Sequence, residues 1–157
     1  MAKETKAQAK VAVGVESLWK VMTKDLKTVV PKIPPNVVES VQIIEGDGGL
    51  GSLYLFVLRL GPAASSKLQK EKIVEMDESV YRFGMQVIEG PALTRGSFSL
   101  LTTTFQLSSA GEKESLVDVK VVYETPREDQ ATIENMTLQP ALNFIQTLEK
   151  LILEFGL

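Results

Sequence analysis

Residues 45 to 52 read Glu45-Gly46-Asp47-Gly48-Gly49-Leu50-Gly51-Ser52, with four glycines in six positions. Backbone so rich in glycine either turns tightly or lies against another group. Apolar runs flank it, Val41 to Ile44 before and Leu53 to Leu58 after. The segment is therefore expected to join two strands. The competing reading is a phosphate cradle. A nucleotide loop of that kind needs a lysine and a hydroxyl directly after its last glycine, opening a helix. Here Gly51-Ser52 leads into a strand and no basic residue lies between Ser52 and Arg59. The strand connector is the better reading.

The rest of the chain has the same strand-rich character up to residue 124. Ala7, Ala9, Val11 and Val13 alternate with Lys6, Gln8 and Lys10, which predicts a half-buried strand over 5–13 ended by Gly14. Ser17 to Val30 has helical spacing at Leu18, Met22, Leu26 and Val29, with Trp19 read as core. Pro31, Pro34 and Pro35 forbid a long helix, so two short ones are expected, broken near Lys24-Asp25. Strands follow over 37–44, 52–60, 68–76 and 81–87, with turns at 61–66 and 77–79. Tyr81, Phe83, Met85 and Val87 share an inward face. Gly90-Pro91 breaks that strand. The next, over 96–107, carries Leu101, Thr103, Phe105 and Leu107 on one face, and a hairpin turn is expected at 109–113. Val117, Val119, Val121 and Tyr123 mark the last strand.

The apolar period then changes. Thr125-Pro126-Arg127-Glu128 has the form of a capping box: threonine cap, proline at the first helical position, glutamate at the third. A helix of about 28 residues, ~42 Å long at 1.5 Å per residue, is expected to reach Phe155. Its apolar stripe is Ile133, Met136, Phe144, Leu148, Leu151, Ile152 and Phe155, with a kink at Pro140. The expected fold class is α+β in one domain, residues 1–157: a seven-stranded antiparallel curved sheet, two short helices and a long C-terminal helix. One straight helix cannot fill a curved sheet, which leaves room for a cavity between them.

Composition narrows the function. The net charge of −3 argues against a nucleic-acid partner, which needs a basic face. Cysteine is absent, which suits a reducing compartment, the cytoplasm. Histidine is absent too, removing the commonest general base and metal ligand. The polar start Met1-Ala2-Lys3-Glu4-Thr5-Lys6 predicts no secretory leader, and no run of about 18 apolar residues predicts a membrane span. The sequon Asn135-Met136-Thr137 is then not expected to be used.

Two motifs carry a resemblance, Ile43-Ile44-Glu45-Gly46-Asp47-Gly48-Gly49-Leu50-Gly51 and Val87-Ile88-Glu89-Gly90. With the element order, they resemble the plant family of the birch major pollen allergen and the class-10 pathogenesis-related proteins. Leu18-Trp19, Lys24-Asp25, Thr28-Val29-Val30-Pro31-Lys32, Thr103-Thr104-Phe105 and Leu116-Val117-Asp118-Val119-Lys120 are similar to its cytokinin-specific, phytohormone-binding branch. The resemblance implies a helix-grip fold around an apolar cavity. It also implies binding without catalysis of a small hydrophobic hormone, gibberellin or cytokinin in type. No cofactor, metal, membrane or obligate protein partner is implied.

By position, Gln69 and Glu71 match the polar ligand-contacting pair of the branch. Phe83, Met85, Met136, Ala141 and Phe144 are the expected apolar contacts. Ala141 and Phe144 stand where the branch has a threonine and a tyrosine, and Pro91-Ala92-Leu93 stands for its Gly-Tyr-Leu. Fewer polar groups favour a less polar ligand, such as a terpenoid acid, over a purine. Two rivals share this outline. One is an enzyme like norcoclaurine synthase, which Pro140-Ala141-Leu142 echoes but which depends on an inward lysine and a tyrosine not found here. The other is a storage or scavenging protein of broad specificity.

Overall fold

The computed structural model describes residues 1–34, 36–59 and 67–156. The expected turn at 61–66 and the strand end at Leu60 lie outside them. Chain order is β1 (Lys3–Val11), α1 (Val15–Thr23), α2 (Leu26–Val29), a 3-10 turn (Val30–Lys32), β2 (Val38–Glu45), β3 (Leu53–Leu58), β4 (Lys67–Asp77), β5 (Arg82–Glu89), α3 (Pro91–Thr94), β6 (Leu100–Gly111), β7 (Glu114–Glu124) and α4 (Gln130–Phe155).

The strands form one antiparallel sheet in the order β1-β7-β6-β5-β4-β3-β2. The two short helices therefore cross from one sheet edge to the other. Register shifts break the β2–β3, β4–β5 and β6–β7 ladders. Each such irregularity bends its strand and adds twist. The inner face carries Val117, Val119, Val121, Tyr123, Phe105, Leu107, Phe83 and Ile73, all buried. Trp19 is buried and meets Tyr81 edge-on, with ring centroids 5.6 Å apart. Helix α4 packs directly on β1, β7 and α1.

Several boundaries differ from the sequence reading. The strand expected over 96–107 begins at Leu100, because Pro91–Thr94 form a helical turn and Phe98 turns inward before the ladder starts. It then runs to Gly111, leaving a two-residue turn before β7. Thr125 is not the cap of α4. Its hydroxyl donates to the Gly96 carbonyl at 2.8 Å, tying the end of β7 to the loop after α3. Asp129 caps the helix instead, accepting from the Thr132 N–H at 3.4 Å. The helix continues unbroken through Pro140. Phe155 is 65 % exposed, since α4's partners cover it only as far as Ile152.

The glycine segment is a closed connector. The Gly48 N–H donates to Ser52 Oγ, Gly49 N–H to Asp47 Oδ1, Ser52 N–H to the Gly49 carbonyl and Gly51 N–H to the Ile73 carbonyl, all within 3.0 Å. Four N–H groups that could have met a phosphate are thus used internally. Gly46 has φ +89, and a Cβ there would lie 2.4 Å from Ser52 Oγ and 2.9 Å from Ser52 Cα. Ser52 is itself buried and cannot retreat. Gly46→Ala is expected to lower unfolding stability by about 1–2 kcal/mol in urea titration. Unchanged stability would show that the connector tolerates a side chain.

Candidate ligand cavity

A hollow of about 270 Å³ lies between the N-terminal half of α4 and the inner face of β3 to β6. It exists because α4 rests on β1 and β7, at one side of the curve, and leaves the other side unfilled. Gln69, Glu71, Phe83, Met85, Met136, Ala141 and Phe144 all line it. Strand alternation brings Gln69 and Glu71 onto the inner face, paired across the ladder with Phe56 and Tyr54 of β3. From α4, Met136, Ala141 and Phe144 face the same space. Phe144 meets Phe105 of β6 with centroids 5.6 Å apart and closes one wall.

The hollow is apolar except at a few points. Gln69 Nε2 donates to Glu71 Oε2 at 2.8 Å, and Gln69 Oε1 accepts from the Ala92 N–H of α3 at 2.9 Å. One amide thus holds both the carboxyl and the short helix. Glu71 Oε1 takes no protein donor among the described residues. Burial raises the Glu71 carboxyl above its ordinary value, and the bond from Gln69 opposes this more weakly. The close approach of α3 to Gln69 requires glycine at position 90. Gly90 has φ +129, and a Cβ there would sit 2.8 Å from Gln69 Cα. The Val-Ile-Glu-Gly motif thus has a local physical reason.

Sequence reasoning did not single out Thr103 and Thr137, which also line the hollow. Thr137 returns its hydroxyl to the Ile133 carbonyl at 2.7 Å, so its polarity is already used. Thr103 was visible on an inward face but not as a site residue. An outer vestibule of about 460 Å³ adjoins the hollow, sharing Ile33, Leu58, Gln69, Ala92, Met136 and Pro140 with it. The opening lies between the 3-10 turn, α3 and α4. Glycine-segment residues line neither space. Among the described residues no group of three or more His, Cys, Asp or Glu could hold a metal ion, and no helix is long and apolar enough to cross a membrane.

The fold is shared with solved structures. Ara h 8.0201 superposes with TM-score 0.82 at 18% identity, covering 98% of this chain and 99% of that one. Norcoclaurine synthase from Thalictrum flavum, in complex with dopamine and hydroxybenzaldehyde, gives TM-score 0.77 at 24% identity, covering 99% and 88%. In sequence, the carrot (Daucus carota subsp. sativus) isoallergen Dau c 1.0401 is 31% identical over 90 residues, 57% of each chain. The chain spans little more than half the length of this curated relative. Norbelladine synthase from Narcissus pseudonarcissus is 28% identical over 134 residues, 85% of this chain and 81% of that one. A family model matches residues 1–154. The chain belongs to the pathogenesis-related protein Bet v 1 family.

Proposed function

We propose that the protein reversibly binds a small, largely apolar plant hormone, gibberellin or cytokinin in type, in the hollow under α4, without chemistry on it. The observation that carries this is one amide–carboxyl pair, Gln69–Glu71, set into largely apolar walls. Small-molecule sites have this form, an apolar lining with few, well-placed polar groups, and the adjoining vestibule of about 460 Å³ adds to the hollow's own 270 Å³. Burial of ligand surface supplies affinity, about 25 cal/mol per Å² before the costs of association. Glu71 Oε1 accepts a ligand hydroxyl or amine, and Gln69 fixes the carboxyl that does so. Ala141 and Phe144 add no hydroxyl, which favours a terpenoid acid over a purine. A cytoplasmic location suits a chain with no cysteine.

A catalytic reading has one observation in its favour beside the synthase relative. A carboxyl raised by burial and facing a hollow is a candidate general acid. Against it, no lysine or tyrosine joins Glu71 among the described lining residues. Calorimetric titration with gibberellic acid, trans-zeatin, abscisic acid, auxin and a flavonoid separates the readings. Tight binding of one hormone, weakened in Gln69→Ala, supports the proposal. Comparable weak binding of all five means a scavenger. Turnover of an amine–aldehyde pair, lost in Glu71→Gln, means an enzyme.

A further inference from the structure

The hollow and its vestibule hold different ionisable groups, one acidic and one basic. Glu71 is the ionisable group of the inner lining, and Arg95 the charged group of the outer lining, among the described residues. Arg95 follows α3 directly, and its N–H donates to the Pro91 carbonyl at 3.0 Å. The helix beneath it is pinned through Ala92 to Gln69, the same amide that holds Glu71. None of the ion pairs among the described residues uses Arg95. Arg95 is exposed and lines the vestibule, and no side-chain hydrogen bond among the described residues uses it.

We propose that Arg95 reads an anionic group at the mouth of the cavity. The preferred ligand is then an apolar molecule with one carboxylate or similar anion, seated apolar end first with the anion outward. This rests on the reading that the hollow binds a small ligand, and it adds the ligand's charge and direction. The opposite seating would carry the anion out of water into apolar walls whose lining offers it no cation among the described residues, and desolvation opposes that. Outward seating keeps the anion partly hydrated within reach of a guanidinium, whose planar fork suits carboxylates. The inner end then meets Glu71 Oε1 and is best completed by a hydrogen-bond donor. The net charge of −3 gives no general attraction for anions, so an anion preference would be local.

Two fluorophores with the same ring system test this. 8-Anilinonaphthalene-1-sulfonate is anionic, and N-phenyl-1-naphthylamine is its neutral counterpart. Both are titrated into the wild type, Arg95→Gln and Ala141→Trp. The wild type is expected to bind both, with Arg95→Gln weakening the sulfonate roughly fivefold, the size of a partly exposed charge pair. The neutral probe should be unaffected by Arg95→Gln, and Ala141→Trp should exclude both. Equal loss of both probes in Arg95→Gln, or no loss of the sulfonate, overturns the role of Arg95 while leaving the cavity reading intact. Failure of the wild type to bind either probe overturns the cavity reading and this inference with it.

Discussion

Ala141→Trp is expected to abolish binding of the proposed ligand, weakening it by at least about a hundredfold, while leaving the fold intact. Ala141 is 7 % exposed and faces the hollow from α4, flanked by Pro140 and Phe144, which also line it. An indole there enters space that no protein atom occupies, so it competes with ligand rather than with core. In a filled core the same change would overpack and cost about 1–3 kcal/mol. The two cases separate in one pair of experiments. Thermal unfolding should stay level or rise while calorimetric binding disappears. A marked fall in melting temperature would mean that the space is not open, and full-strength binding would mean that the ligand sits elsewhere.

Glu71→Gln is expected to change stability in a pH-dependent way. In the native state burial holds this carboxyl above its ordinary value of 4.5. The folded chain therefore binds that proton more tightly than the unfolded chain does. Stability from this group is complete below the unfolded value and is lost as pH rises through the folded one. The glutamine variant has no such loss. Wild type and variant should unfold together near pH 4. Above the folded value the variant should be more stable by about 1–3 kcal/mol, the usual range for relieving an under-paired buried polar group. A gap independent of pH, or a variant less stable at pH 8, would contradict the placement of Glu71 in apolar surroundings. Binding should move the other way: a ligand that donates to Glu71 loses a charge-assisted bond and weakens by about tenfold.

Legibility in the sequence followed the range of the interactions. Alternation at Val117 to Tyr123 and at Phe83, Met85 and Val87 marked the inner face, because a two-residue period survives wherever the ladder is regular. It misleads where the ladder shifts. Glu71, Ile73 and Glu75 are in phase in the sequence, but the irregularity between Ile73 and Glu75 pairs Met76 with Phe83 instead. Glu75 lies 3.9 Å from Arg82, in a charged pair. The four residues of α3 are too few to show a helical period, and what fixes them is the bond that the Ala92 N–H donates to Gln69, more than twenty positions away. Thr125 and Asp129 both suit a helix cap locally, and the contact of Thr125 with Gly96, 29 residues distant, leaves the cap to Asp129. The inward direction of Glu71 came mainly from family resemblance, since alternation alone does not say which face is inside. The hollow itself leaves no periodic trace: Met136 and Phe144 would be spaced alike whether they met side chains or empty space.

The five methionines offer the most direct measurement of where a ligand sits. Met85 and Met136 line the hollow, Met22 is buried in the core away from it, Met76 packs against Phe83's strand, and Met1 is exposed. In a protein labelled with ¹³C at the methionine methyls, titration with gibberellic acid or trans-zeatin should shift Met85 and Met136 and give them nuclear Overhauser contacts with the ligand. Met1 and Met22 should stay unmoved. Ligand contacts to Met1, or a saturating ligand that leaves Met85 and Met136 untouched, would contradict binding between α4 and the sheet.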